Sequence, residues 1–139
     1  MTIPIVVITH GQSARALCES VQMIIGQQQH LYSVDFLPGE NTDSLVTKIG
    51  LLPTSPDPLF MVDFLGGSPF NAAAWYRQQK NQGDVITGVN IPMLVNVLLE
   101  RTANSTLEQL AALAKESGIG GIQQMSLDFK IAMNQEEDL

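Results

Sequence analysis

Apolar residues fall along this chain in two rhythms, and the switches between them mark its elements. The β-branched run Ile3 to Ile8 reads as a buried strand that stops at Thr9-His10-Gly11. From Ser13 to Gly26 the apolar positions Leu17, Val21, Ile24 and Ile25 recur at helical spacing, with Ser13 as the expected N-cap and Gly26 as the stop. Leu31 to Phe36 alternates as a strand and closes at Pro38-Gly39. Asn41 to Leu52 carries Leu45, Val46 and Ile49 on one helical face, and Pro53, Pro56 and Pro58 make the next stretch an extended loop.

Leu59 to Asp63 is again a nearly continuous apolar run, as expected of a parallel strand covered on both faces. Gly66-Gly67-Ser68-Pro69 then reads as a tight turn into a helix to Lys80, with Ser68 as N-cap and Pro69 at the first helical position. Trp75 and Tyr76 in that helix are expected to be packing residues. Asp84 to Val89 is a fourth strand, Pro92 to Arg101 a helix, and Ser105 with Glu108 a capping box opening a helix that ends near Gly118. Leu127, Phe129, Ile131 and Met133 alternate with Asp128, Lys130 and Ala132, which predicts a late strand before the acidic tail, residues 134–139.

Strands alternating with helices imply an α/β fold, an open, mostly parallel sheet with helices on both faces. The expected strand order is 2-1-3-4. The 139 residues suit one domain, 1–139, and 45% hydrophobic against 15% charged residues supplies material for a core. A net charge of −7 with only seven Lys and Arg argues against nucleic acid and suits a basic protein partner. The lone Cys18 excludes an internal disulfide, and with two histidines a Cys/His zinc site is not expected. Apolar stretches fall short of the roughly 20 residues that span a bilayer, so a cytoplasmic, reducing compartment is expected.

Chemistry concentrates at two strand ends. His10 follows the first strand and Asp63 ends the third; in order 2-1-3-4 these strands are neighbours from which the chain departs in opposite directions, a topological switch point. Alone, a histidine in a turn or an aspartate near a helix start is commonly structural. Together, a carboxylate bonded to one ring nitrogen fixes the tautomer and leaves the other nitrogen nucleophilic. The turn Gly66, Gly67 and Ser68 brings a helix start suited to anions, and these residues with Gly11 are the candidate phosphate-binding positions. The combination implies capture of a phosphoryl group on His10. No P-loop or GxGxxG pattern accompanies it, and His30, in a Gln-rich loop, is assigned to the surface.

Four segments in order carry a family resemblance: Thr9-His10-Gly11; Asp35-Phe36 with Pro38-Gly39-Glu40-Asn41; Val62-Asp63 with Gly66-Gly67-Ser68-Pro69-Phe70-Asn71; and Gly88-Val89-Asn90-Ile91-Pro92-Met93-Leu94. They resemble the IIA component of the mannose family of the bacterial sugar phosphotransferase system (PTS), over nearly the whole chain through Gly121. The resemblance implies a phosphohistidine carrier without cofactor or metal. His10 would accept a phosphoryl group from phospho-HPr and pass it to a IIB component, upstream of membrane IIC and IID components. Asp63 would orient His10, and Ser68 would line the site. The resemblance also implies a homodimer with an added C-terminal antiparallel strand exchanged between subunits.

Phe64 stands where some members carry a small hydroxyl residue, and the Gly50 to Leu59 stretch is shorter than usual. The sequence ends at Leu139 without an Ala/Pro-rich linker, from which a free IIA subunit is expected. Two other readings stand beside this one. A related carrier feeds a dihydroxyacetone kinase from a similar fold and histidine, although the Asn90 to Leu94 segment resembles the sugar-transport branch more closely. A non-catalytic flavodoxin-like regulatory module would explain the α/β pattern but leave His10, Asp63 and the glycine turn as coincidence.

Overall fold

The computed structural model describes residues 1–54 and 57–129. Four strands, β1 (Ile5–His10), β2 (Leu31–Phe36), β3 (Leu59–Val62) and β4 (Asp84–Thr87), pair in parallel in the order β2-β1-β3-β4. The helices between and after them are α1 (Ser13–Ile25), α2 (Thr42–Gly50), α3 (Ser68–Lys80), α4 (Ile91–Glu100), α5 (Leu107–Gly120) and the single turn α6 (Met125–Asp128).

Strand residues divide by parity between two cores, which is why the apolar runs are continuous. Ile5, Val7, Leu59 and Met61 face one layer with Val21 of α1, Leu94 and Val97 of α4, and Leu110 and Ala114 of α5. Val6, Ile8, Phe60 and Val62 face the other, against Leu45 and Ile49 of α2 and Ala72 and Ala73 of α3. Burying each large apolar side chain is worth about 1.5–3 kcal/mol, so the β1–β3 pair, covered on both faces, is the most firmly held part of the sheet. The catalytic candidates sit at its carboxyl end.

Several element boundaries move by one or two residues from the sequence reading, each for a local reason. Ser13 lies inside α1, whose N-cap is Gln12, because its hydroxyl turns back to donate to His10 O (2.7 Å) and meets Thr9 Oγ1 (2.5 Å). Thr106 rather than Ser105 caps α5, in a capping box with Gln109. Asn41 caps α2 in a box with Ser44. β4 ends at Thr87 because Gly88, at φ 76°, turns the chain. Trp75 is 45% exposed and belongs to neither core, whereas Tyr76 packs edge-on against Phe60 at 5.3 Å.

The late strand is not observed where its first half is described. Met125–Asp128 forms a helical turn, with Asp128 Oδ2 accepting the Gln124 N–H at 2.5 Å and Phe129 N–H bonding Met125 O at 3.3 Å. Such local side-chain to backbone bonding competes with strand pairing. Ile131, Met133 and the acidic tail lie outside the described residues, as does Pro56 of the loop before β3.

Arg101, just past α4, ties the far end of the sheet together. Its guanidinium donates to Ile3 O and His30 O (both 2.9 Å) and to Gln29 O (2.5 Å). Arg101→Ala is therefore expected to lower unfolding stability by about 1–3 kcal/mol, the range for removing charged hydrogen bonds to partly buried groups. A thermal or urea melt indistinguishable from the parent would show that water replaces the clamp without cost.

Candidate functional site

His10 ends β1 and Asp63 immediately follows β3, so the parallel register that pairs Ile8 with Val62 brings the two residues side by side. Asp63 Oδ2 accepts the His10 backbone N–H at 3.0 Å and meets His10 Nδ1 at 2.6 Å. Its other oxygen, Oδ1, accepts the Phe64 N–H at 3.1 Å. The backbone that carries Asp63 is held in turn by the segment just after β4: Gly88 N–H donates to Asp63 O (3.0 Å) and Val89 N–H to Val62 O (3.1 Å). Those bonds account for the Gly88-Val89 segment, whose role the sequence did not disclose.

Burial pushes the Asp63 carboxyl upward, but the hydrogen bonds from the His10 backbone and imidazole, with the imidazolium charge, outweigh it and hold the group below its ordinary value. At neutral pH Asp63 is a carboxylate and can only accept. Nδ1 of His10 then carries the proton, assigned from the hydrogen bond, and the lone pair resides on Nε2. The His10 side chain is 45% exposed, which leaves that nitrogen open to a partner.

The glycine turn closes against the same ring. Gly66 adopts φ 86°, a left-handed conformation that favours glycine, whereas Gly67, at φ −74°, is needed for space. A Cβ on Gly67 would lie 3.2 Å from His10 Cε1 and 3.1 Å from Phe64 Cζ. Gly67 is the N-cap of α3, so Ser68 and Pro69 occupy the first two helical positions, one place later than the sequence suggested. The helix start, with amides that have no intrahelical acceptor, is thus directed to the immediate surroundings of the imidazole. Gly11 is engaged with the β2 end through both of its backbone groups. Its N–H donates to Phe36 O (2.7 Å) and its carbonyl accepts from Phe36 N–H (3.1 Å), so it shapes the turn after His10 and has no free amide for phosphate.

The β2–α2 loop forms the opposite wall, where His10, Gly11, Phe36, Leu37 and Glu40 line an open cleft of about 350 Å³. Glu40 Oε1 accepts from Leu37 N–H and from Lys48 Nζ (both 2.7 Å), and Lys48 Nζ also donates to Asp35 O (2.8 Å). The hydrogen bond from Lys48 is the main cause that holds the Glu40 carboxyl below its ordinary value. Asp35 Oδ2 accepts from Arg15 at 2.6 Å. These bonds brace the loop carrying the Asp35-Phe36 and Pro38 to Asn41 segments.

Two aromatic rings surround the imidazole. Phe64 stacks on it, with centroids 5.3 Å apart and planes at 22°, and Phe36 meets it edge-on at 5.4 Å and 77°. Neither contact is visible in sequence patterning; the one signal is an apolar residue in a turn. Other nucleophile candidates are remote or inert. Burial, with Glu19 nearby, pushes the Cys18 thiol up to about 11, so it stays protonated. His30 is exposed, in agreement with its surface assignment, and only its carbonyl is engaged. Among the described residues no cluster of His, Cys, Asp or Glu could hold a metal ion, and no helix is long and apolar enough to cross a membrane.

Comparison with known proteins places the chain in a family. A family profile described as "PTS system fructose IIA component" matches residues 4–115. The chain is 43% identical over 127 residues to the PTS system mannose-specific EIIAB component of Escherichia coli; the match covers 88% of this chain but 39% of that protein. It is 34% identical to the PTS system fructose-specific EIIA component of Bacillus subtilis, covering 83% of this chain and 84% of the relative. The EIIA component crystal structure from Streptococcus agalactiae superposes with a TM-score of 0.83 at 24% identity, over 88% of this chain and 97% of that one, a likeness of fold. With the profile spanning most of its length and relatives this similar, the chain belongs to the mannose family of PTS IIA components.

Proposed function

We propose that this chain is a cytoplasmic phosphocarrier of a sugar phosphotransferase system, using His10 as the phosphorylated nucleophile and Asp63 to orient it. The observation that carries this reading is the 2.6 Å contact between His10 Nδ1 and an ionised Asp63, which leaves Nε2 as the attacking nitrogen. The Nε2 lone pair attacks the phosphorus of the phosphohistidine on HPr. A P–N bond forms to His10, the donor's P–N bond breaks, and its electron pair returns to the donor nitrogen. The transferred oxygens face the start of α3, where the turn Gly66, Gly67 and Ser68 supplies positive field and free amides. The reverse chemistry then delivers the group to a IIB component, which serves membrane IIC and IID components. No cofactor enters the step.

The test is incubation with phosphoenolpyruvate, enzyme I and HPr followed by intact-mass measurement. A gain of one phosphoryl mass, labile in acid and stable in base, is expected; no gain would refute the carrier and favour a regulatory module. Discharge onto a IIB component distinguishes sugar transport from supply of a dihydroxyacetone kinase.

The working unit in this reading is a homodimer. β4 is an edge strand whose residues are all half-buried, and Ile119, Ile122, Met125 and Leu127 beyond it are 63–74% exposed. Such a surface suits cover by a second copy. Truncation after Gly120 is expected to weaken the dimer and lower the melting temperature. Sedimentation of the full chain as a monomer at micromolar concentration would overturn this, and an unaltered dimer after truncation would place the interface elsewhere.

A further inference from the structure

We infer that Phe64 is a positioning residue for phosphoryl transfer, its phenyl ring fixing the plane of the His10 imidazole so that Nε2 points at the incoming phosphorus. The inference rests on the carrier role of His10 proposed above. Phe64 is 55% exposed and belongs to neither hydrophobic core, so the fold gains little from it. Its ring contact is with the imidazole, face to face at 5.3 Å and 22°. Asp63 holds the imidazole through one atom, Nδ1, and a single hydrogen bond defines a pivot rather than a plane. A flat ring laid on one face removes the remaining rotation.

The backbone is arranged to permit that stack. Phe64 N–H is bonded to Asp63 Oδ1 (3.1 Å), so the residue that anchors the imidazole nitrogen also anchors the residue that covers its face. Gly67 leaves the space beside both rings, since a Cβ there would crowd Phe64 Cζ and Cε1 (3.1 and 3.2 Å) and His10 Cε1 (3.2 Å) at once. When Nε2 carries the phosphoryl group and Nδ1 keeps its proton, the imidazole is cationic. A phenyl face is then an attractive neighbour, because the ring quadrupole draws a cation.

The experiment compares Phe64→Ala, Phe64→Leu and Phe64→Tyr with the parent, using phospho-HPr as donor in single-turnover kinetics over a range of donor concentrations. Phe64→Ala and Phe64→Leu are expected to lower the saturating transfer rate about ten- to a hundred-fold, the scale on which small misplacement of reacting groups acts, with little change in half-saturation or melting temperature. Phe64→Tyr, which keeps the flat ring, is expected to restore the rate. The upfield ring-current shift of the His10 ring protons should vanish in the alanine and leucine variants and persist in the tyrosine one. A Phe64→Leu variant with the parent's saturating rate, or a change confined to half-saturation, would overturn the assignment and make Phe64 a donor contact. A parent protein that takes up no phosphoryl group would instead refute the carrier reading, while the ring-current comparison would still report whether the stack exists.

Discussion

His10→Ala is expected to fold normally and gain no phosphoryl mass in the complete relay with phosphoenolpyruvate, enzyme I and HPr. Normal folding follows from the site's geometry. The His10 side chain is 45% exposed, and the backbone bonds that organise the turn do not involve the imidazole. Asp63 Oδ2 still accepts the N–H of residue 10, Oδ1 still accepts from Phe64, and Gly88 still holds the Asp63 carbonyl. Chemistry has no substitute at this point: Cys18 is buried and protonated, and His30 lies in the loop before β2, at the opposite end of β1 from His10. Loss should therefore be complete. A His10→Ala protein that still gained one phosphoryl mass would place the nucleophile elsewhere.

Asp63→Asn is expected to keep the fold while slowing phosphoryl uptake by roughly ten- to ten-thousand-fold, the span from general-base effects to loss of the orienting carboxylate in a triad. The amide preserves shape and can still accept from the His10 backbone. It no longer offers a charge to the Nδ1 proton, and it can present an N–H that favours the wrong tautomer. Stopped-flow transfer from phospho-HPr measures the effect, and a rate equal to the parent's would reduce Asp63 to a turn residue.

The same carboxylate makes an acid-side prediction. Its folded-state value lies below the ordinary one, so its contribution to stability is present above the usual carboxylate range and is lost as pH falls through the folded value. In Asp63→Asn that part of the acid-unfolding dependence should be absent. Superimposable acid-unfolding curves for the two proteins would show that the His10 contacts do not stabilise the ionised form.

Much of the architecture is legible in the sequence because its cause is local. The run Ile3 to Ile8 has to be a strand with both faces covered, and β1 carries alternate residues into two cores. Gly26 stops α1 with φ 86°, and Asn41 caps α2, as the side-chain types suggest. The order 2-1-3-4 expected of such an alternation sets the His10 and Asp63 strand ends beside each other, and the sheet has that order. His10 and Asp63 were identifiable for the same reason, since a polar residue at the end of an apolar run is conspicuous and the crevice beyond parallel strands is where chemistry gathers.

Other features depend on particular side-chain and backbone contacts that periodicity does not show. The caps at Gln12 and Gly67 differ from the expected serines because Ser13 bonds back to His10 and Thr9 and because the rings of His10 and Phe64 crowd the turn at Gly67. The alternation from Leu127 to Met133 resembles a strand, yet a local bond from Gln124 to Asp128 winds its beginning into a turn. The Gly11 amide is bonded to Phe36, 25 positions later, a pairing that no local pattern announces. Arg101 looked like the end of a helix and is a clamp on carbonyls up to 98 positions away.

The sequence by itself determined the alternation of strands and helices, the division of strand residues between two cores, and the placing of His10 and Asp63 at two strand ends. Those follow from periodicity, which neighbouring residues alone create. Tertiary structure decided which nitrogen of His10 is tied and which is free, that Phe64 covers the ring, and that Gly88, just after β4, steadies the Asp63 backbone. These are contacts across strand ends 25 to 54 positions apart, and they exist only once the parallel register has brought the ends of β1, β3 and β4 together.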